Sequence, residues 1–214
     1  MNDCRSRFLM VSALTALVAG SLPGCTASVR TDSANSYLII DSLQAAAGAK
    51  PDTFGGTLAS DVLTYVKKDI GGTQVLVPTV FEDIGQATFR LGMKDPGTTT
   101  APTSPSSANF ITVTQYHVSF TRSDGRNTPG VDVPHPFDGA VTLTVGASTA
   151  TTAMTLVRLQ AKSEAPLKSL AGGNGAFAIS TVAEITFYGK DQAGHAVSVT
   201  GKISVSFADW GARS

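Results

Sequence analysis

Apolar and polar positions alternate with a period of two along the last third of the chain. Ile179, Thr181, Ala183, Ile185 and Phe187 fall on one phase, and Ser180, Val182, Glu184, Thr186 and Tyr188 on the other. Alternation resumes with Val197, Val199, Gly201, Ile203, Val205 and Phe207 against Ser198, Thr200, Lys202, Ser204 and Ser206. A two-residue period puts one set on a dry face and the other on a wet face, so both stretches predict strands. Lys190-Asp191-Gln192-Ala193-Gly194 between them predicts the turn of a hairpin, with Gly supplying positive φ. One hairpin does not hold alone in water, so the rest of the chain is expected to supply a second sheet.

Further strands are predicted upstream. Residues 110–122 alternate, but Ile111 and Val113 lie on one phase and Tyr116, Val118 and Phe120 on the other. That phase change predicts a bulge near Gln115. Residues 139–145 and 153–159 read as strands separated by a turn. Residues 37–40 read as a first strand, 42–49 as a short helical turn, and 61–67 as another strand before a turn at Asp69-Ile70-Gly71-Gly72. Residues 75–81 and 86–93 read as a hairpin turning at Glu82-Asp83-Ile84-Gly85, with Pro78 confining its first strand to an edge. Residues 94–109 are rich in Pro, Thr and Ser and are expected to be disordered. Residues 126–138 form a second Pro-stiffened loop. Residues 160–171 break the alternation, and Leu167, Leu170 and Ala171 after Pro166 predict a short helical connection.

Seven or eight short strands with frequent turns predict an all-β fold, an immunoglobulin-like antiparallel β-sandwich. Composition agrees. The 214 residues are 42% hydrophobic, enough for a core, and only 15% charged, below the norm of about 25%. The 16 basic and 16 acidic residues balance, so no basic footprint for nucleic acid is present.

The first 25 residues carry an address. Arg5 and Arg7 precede the apolar run Phe8 to Gly20, which falls short of the roughly 20 residues a spanning helix needs. An export signal fits this layout. Ser21-Leu22-Pro23-Gly24-Cys25 resembles the lipobox of bacterial lipoproteins, with Pro23 as its departure. The resemblance implies cleavage before Cys25, lipidation of Cys25 and anchoring of the mature chain to a membrane; several acyl chains hold firmly. Thr26, rather than Asp, leans towards the outer membrane under the enteric sorting rule. The expected organisation is therefore a signal over 1–24, a lipidated Cys and flexible tether over 25–36, one β-sandwich domain over 37–210, and a tail over 211–214. Loss of Arg5, Arg7 and Asp3 leaves a side-chain balance of about −1, so attraction to anionic headgroups is not expected. Cys4 lies within the signal, so the mature chain has no disulfide and must be stabilised by packing.

A second resemblance rests on Phe187-Tyr188-Gly189-Lys190-Asp191-Gln192-Ala193-Gly194-His195. It is similar to the penultimate-to-last-strand turn of bacterial immunoglobulin-like and fibronectin-III-like domains, with His195 in place of the usual Asn. The mature chain as a whole resembles uncharacterised lipid-anchored envelope proteins of environmental bacteria. That likeness implies a fold and an address, not a chemistry.

Motifs for catalysis are sparse. His117, His135 and His195 have no partner at metal-ligand spacing, and no Cys-x-x-Cys pair occurs. Neither a Gly-rich phosphate cradle nor a Gly-x-Ser-x-Gly elbow is found. Asp124, Asp132 and Asp138, with Asn127, flank one stiff loop and are the only candidate metal ligands, of the hard-oxygen type that suits calcium. Ordinary turn chemistry is the competing reading, and Arg122 and Arg126 stand ready to neutralise them. No cofactor is expected. The expected role is a non-catalytic structural or binding module, partnered by the membrane through Cys25 and by another envelope protein. The alternatives are a secreted metal-dependent or hydrolytic enzyme on the same sandwich, and a carbohydrate- or ligand-binding lipoprotein using Trp210 and Tyr188.

Overall fold

The structure is a computed structural model that describes residues 33–173, 175 and 177–211. The signal segment, Cys25, most of the tether and the last three residues lie outside the described residues. The fold is an all-β sandwich. β1 (Ser36–Ala46), β5 (Asp83–Met93) and β8 (Ala150–Val157) form an antiparallel sheet with β5 in the middle. β2 (Thr57–Asp61), β10 (Ala196–Ala208), β9 (Ile179–Asp191), β6 (Ile111–Thr121) and β7 (Phe137–Val145) form the second sheet, in that order. Its pairs are antiparallel except β2 with β10, which run parallel. β3 (Thr64–Ile70) and β4 (Thr73–Thr79) form a separate two-stranded ribbon.

The predicted alternation of β9 and β10 is what builds the core. Thr181, Ala183, Ile185 and Phe187 are buried on β9, and Ile203, Val205 and Phe207 on β10. Phe89 of β5 meets Phe187 edge-on across the two sheets, with ring centroids 4.8 Å apart. Phe120 and Phe207 make a second such contact at 5.6 Å within the large sheet. Edge-to-face geometry adds to what area burial already contributes. The bulge expected near Gln115 is present: the register of β6 against both β7 and β9 shifts between Val113 and Gln115.

Four local expectations are corrected. Residues 42–46 continue β1 rather than turning into helix, because Leu43 and Ala45 pair with Ala87 and Gly85 of β5. Their Ala-rich sequence favours helix only weakly, and a full ladder overrides that preference. Residues 61–67 are not one strand: β2 ends at Asp61, buried Val62 makes the corner, and β3 starts at Thr64. Residues 75–81 do not pair with 86–93. β4 returns along β3 through the two-residue turn Gly71-Gly72, both at positive φ, while β5 lies between β1 and β8. The inward phase of β5 runs back through Gly85 to fully buried Asp83, which is therefore a strand residue and not a turn. Lastly, residues 94–109 carry their own order: Thr98 and Ala101 exchange backbone hydrogen bonds, and Ser107–Asn109 form a 3-10 turn.

The expected helical connection is present as α1 (Leu159–Ser163) followed by a 3-10 turn at Leu167–Leu170, whose Leu167 and Leu170 are buried. It crosses one end of the sandwich and carries the side chain on which that end is built.

Candidate functional site

That side chain is Lys162. α1 follows β8 after Arg158, and its last turn places Lys162 in the interior. The lysine is 1% exposed and its partner Asp83 is 0% exposed. Lys162 Nζ donates to Asp83 Oδ1 at 2.8 Å and to the Asp61 carbonyl at 2.9 Å. Asp83 also accepts from Ser60 Oγ at 2.6 Å and from the Gly48 N–H at 2.9 Å. Burying two ions is costly, and the charge-assisted bonds that satisfy both ends offset the cost. The cluster thereby ties β2, β5, α1 and the loop after β1 to one point.

Asp61 extends the cluster to the surface. Its carboxylate accepts from the Trp210 N–H at 3.0 Å and from Thr64 Oγ1 at 3.2 Å. Burial raises its carboxyl above the ordinary value, and these donors only partly counter the effect. Asp209, also buried, accepts from the Gly172 N–H at 2.6 Å and holds the connection after the 3-10 turn against the end of β10.

Beside Asp61 lies an open cavity of about 320 Å³. Ala45, Phe54, Leu58 and Trp210 supply its apolar wall, and Lys50 and Asp61 its charged groups. The wall stands because Ala45 and Gly55 exchange backbone hydrogen bonds at 2.9 Å, folding residues 47–56 back beside β2. Trp210, 46% exposed, closes one side. A mostly apolar hollow with two opposite charges at its edge has the character of a small-ligand or side-chain pocket. Each Asp61 carboxylate oxygen at the cavity accepts a hydrogen bond, one from the Trp210 N–H and the other from the Thr64 hydroxyl.

The residues singled out from sequence are placed elsewhere. Asp124 accepts from the guanidinium groups of Arg122 and Arg126, which hold its carboxyl well below the usual carboxylate range. Asp132 accepts from the Thr128 N–H at 3.2 Å, inside its own loop. Asp138 pairs with His117 Nδ1 at 2.8 Å on the outer face of the large sheet. Each carboxylate thus has its own local partner. Among the described residues, no three His, Cys, Asp or Glu side chains assemble into a metal-binding group. His195 pairs with Asp191 at 2.8 Å and braces the last hairpin turn. Trp210 belongs to the cavity, whereas Tyr188 lies on the far side of β9 beside Thr114 and Ser198. Cys25 lies outside the described residues.

Asp61, Asp83, Lys162 and Phe54 were not legible as a group. Asp83 and Lys162 are 79 positions apart, and nothing in their local sequence marks either as buried. Comparison with known protein families, with curated proteins and with solved structures finds no match.

Proposed function

We propose that this chain is a non-catalytic binding module of the bacterial cell envelope, held on the outer membrane through lipidated Cys25 and presenting the Trp210 cavity to a partner or ligand. One observation carries the reading. The chain enters the domain at Ser36, and the cavity is built around Ala45 at the other end of the same strand. Nine residue steps along the strand separate Ser36 from Ala45, about 30 Å at ~3.3 Å per residue. The cavity therefore lies at the end of β1 opposite to the one at which the chain enters the domain. Rigid sandwiches with recognition carried on end loops work in this way. The cavity's apolar wall suits an apolar side chain or small hydrophobic group, and Asp61 and Lys50 suit a polar group at its edge.

Two measurements test this. Replacing Cys25 by Ser should move the protein from the membrane to the soluble fraction; retention in the membrane overturns the anchor. Trp210 is the only tryptophan, so its emission reports the cavity directly. Titration with a hydrophobic dye should shift that emission saturably, and Leu58→Lys should abolish the shift. An unchanged response in Leu58→Lys overturns the cavity as the binding site.

A further inference from the structure

The ribbon of β3 and β4 is the part of the fold that packing leaves unexplained. Its strands pair over seven residues each, from Thr64 with Thr79 to Ile70 with Thr73. Beyond that mutual pairing, neither strand makes a substantial contact with another element. A lone two-stranded ribbon is at best marginally stable in water. This one nevertheless exposes apolar side chains: Ile70 is 56% exposed, Val75 40% and Leu76 38%. Val66, Ile70, Val75 and Val77 share one face by register.

The two edges of the ribbon differ. β3 carries Lys67, Lys68 and Asp69, the type of charge that blocks edge-to-edge pairing. β4 reads Thr73-Gln74-Val75-Leu76-Val77 with no charge at all, and Pro78 interrupts it only near its base. Its edge is open for strand addition.

We infer that β4 pairs edge to edge with β4 of a second copy of this chain, in an antiparallel, two-fold arrangement about Val75. The occupant follows from charge and self-complementarity. Pairing β3 with its own copy would set lysines opposite lysines, which is unfavourable. Pairing β4 with its own copy keeps all four lysines on the outer strands. It also sets Val75 opposite Val75 and Val77 opposite Thr73, so the two Val75 side chains meet at the centre of a four-stranded face, with Lys68 of each outer strand flanking them. A two-fold contact of this kind closes on itself and leaves β4 no further free edge. Its area is modest: seven residues of strand edge bury far less than the ~800 Å² per partner of a standard stable interface. The dimer should therefore be weak and concentration-dependent.

The full chain, purified in mild detergent, tests this by sedimentation velocity. Self-association rising with concentration is expected, and Val75→Lys should eliminate it while Lys67→Ala does not. Separately, Gln74, Val75 and Leu76 are replaced one at a time by Cys and the protein is oxidised. A disulfide-linked dimer is expected for at least one of them, with Lys67→Cys remaining monomeric. Mass spectrometry of the linked peptide separates this bridge from any through Cys4 or Cys25. If Val75→Lys does not fold, the cysteine series still decides. The inference is overturned if the parent chain stays monomeric at every concentration, if no β4 cysteine links faster than Lys67→Cys, or if β4 cysteines link to a different protein in cell membranes instead of to themselves.

Discussion

Phe187 and Phe89 hold the two sheets together at a point where neither has any exposure, so removing either ring leaves a void on both sides of the interface. Phe187→Ala should destabilise the domain by about 3–5 kcal/mol in urea titration, near the upper end for a single side chain. Lys162 and Asp83 act by a different mechanism. Truncating one strands the other's charge in the interior, so Lys162→Ala should cost about 3–5 kcal/mol. The double replacement Lys162→Met with Asp83→Leu should cost less than either single truncation, since no orphaned ion remains. Equal losses in all three would show that the cost comes from packing alone. Asp191 adds a pH-dependent contribution. Burial raises its carboxyl, but the hydrogen bonds from the His195 side chain and N–H and from the Ala193 N–H outweigh that and leave it below the ordinary 3.8. A lowered carboxyl contributes stability that is full above the ordinary value and lost as the pH falls through the folded-state value. The stability gap between the parent and Asp191→Asn should therefore be widest near neutral pH and shrink below pH 3.8.

At the scale of elements, alternation worked where a strand has one buried face and failed where pairing partners had to be chosen. β9 and β10 were readable because most of their inward residues are apolar and the Asp191–Gly194 turn joins them directly. The same kind of pattern in β4 and β5 suggested a hairpin that does not form. Both candidates, β4 with β5 and β4 with β3, join neighbouring strands, and Gly71-Gly72 at positive φ makes the second the tighter turn. Gly139 of β7 shows a further element-level constraint. The Tyr116 ring of β6 lies against it where a Cβ would project, so even Ala cannot enter without displacing the ring. Gly139→Val should lower the melting temperature by several degrees, and Gly125→Ala, in open space but at positive φ, by less. The loop carrying Asp124 and Asp132 was legible as turn chemistry in competition with calcium, and the Arg122 and Arg126 pairs account for Asp124 without a metal. Chelator should accordingly leave the melting temperature unchanged; a fall of several degrees would reinstate these carboxylates as ligands.

Across the whole molecule, the two ends of the sandwich differ in chemistry. At one end Ser36 donates to the Asn109 carbonyl at 2.6 Å and Lys94 bonds back to Asn35, a modest join of loops around the chain's entry. At the other lie the buried Lys162–Asp83 pair, Asp61, Asp209 and the Trp210 cavity. That polarity sets the chain's entry at Ser36 and the Trp210 cavity at opposite ends of the domain.

Residue order alone determined that the body is built of strands, which side chains of β9, β10 and β6 face inward, where β6 bulges, and that a short helical piece interrupts the pattern. These are local properties, because a period of two and a turn residue act within a few positions of themselves. Only the tertiary structure decided that β5 lies between β1 and β8, that β2 joins β10 in parallel, that β3 and β4 stand apart as an arm, and that Lys162 finds Asp83. Those are contacts between residues tens of positions apart, chosen by which surfaces fit and which charges can be satisfied once the sheets have met.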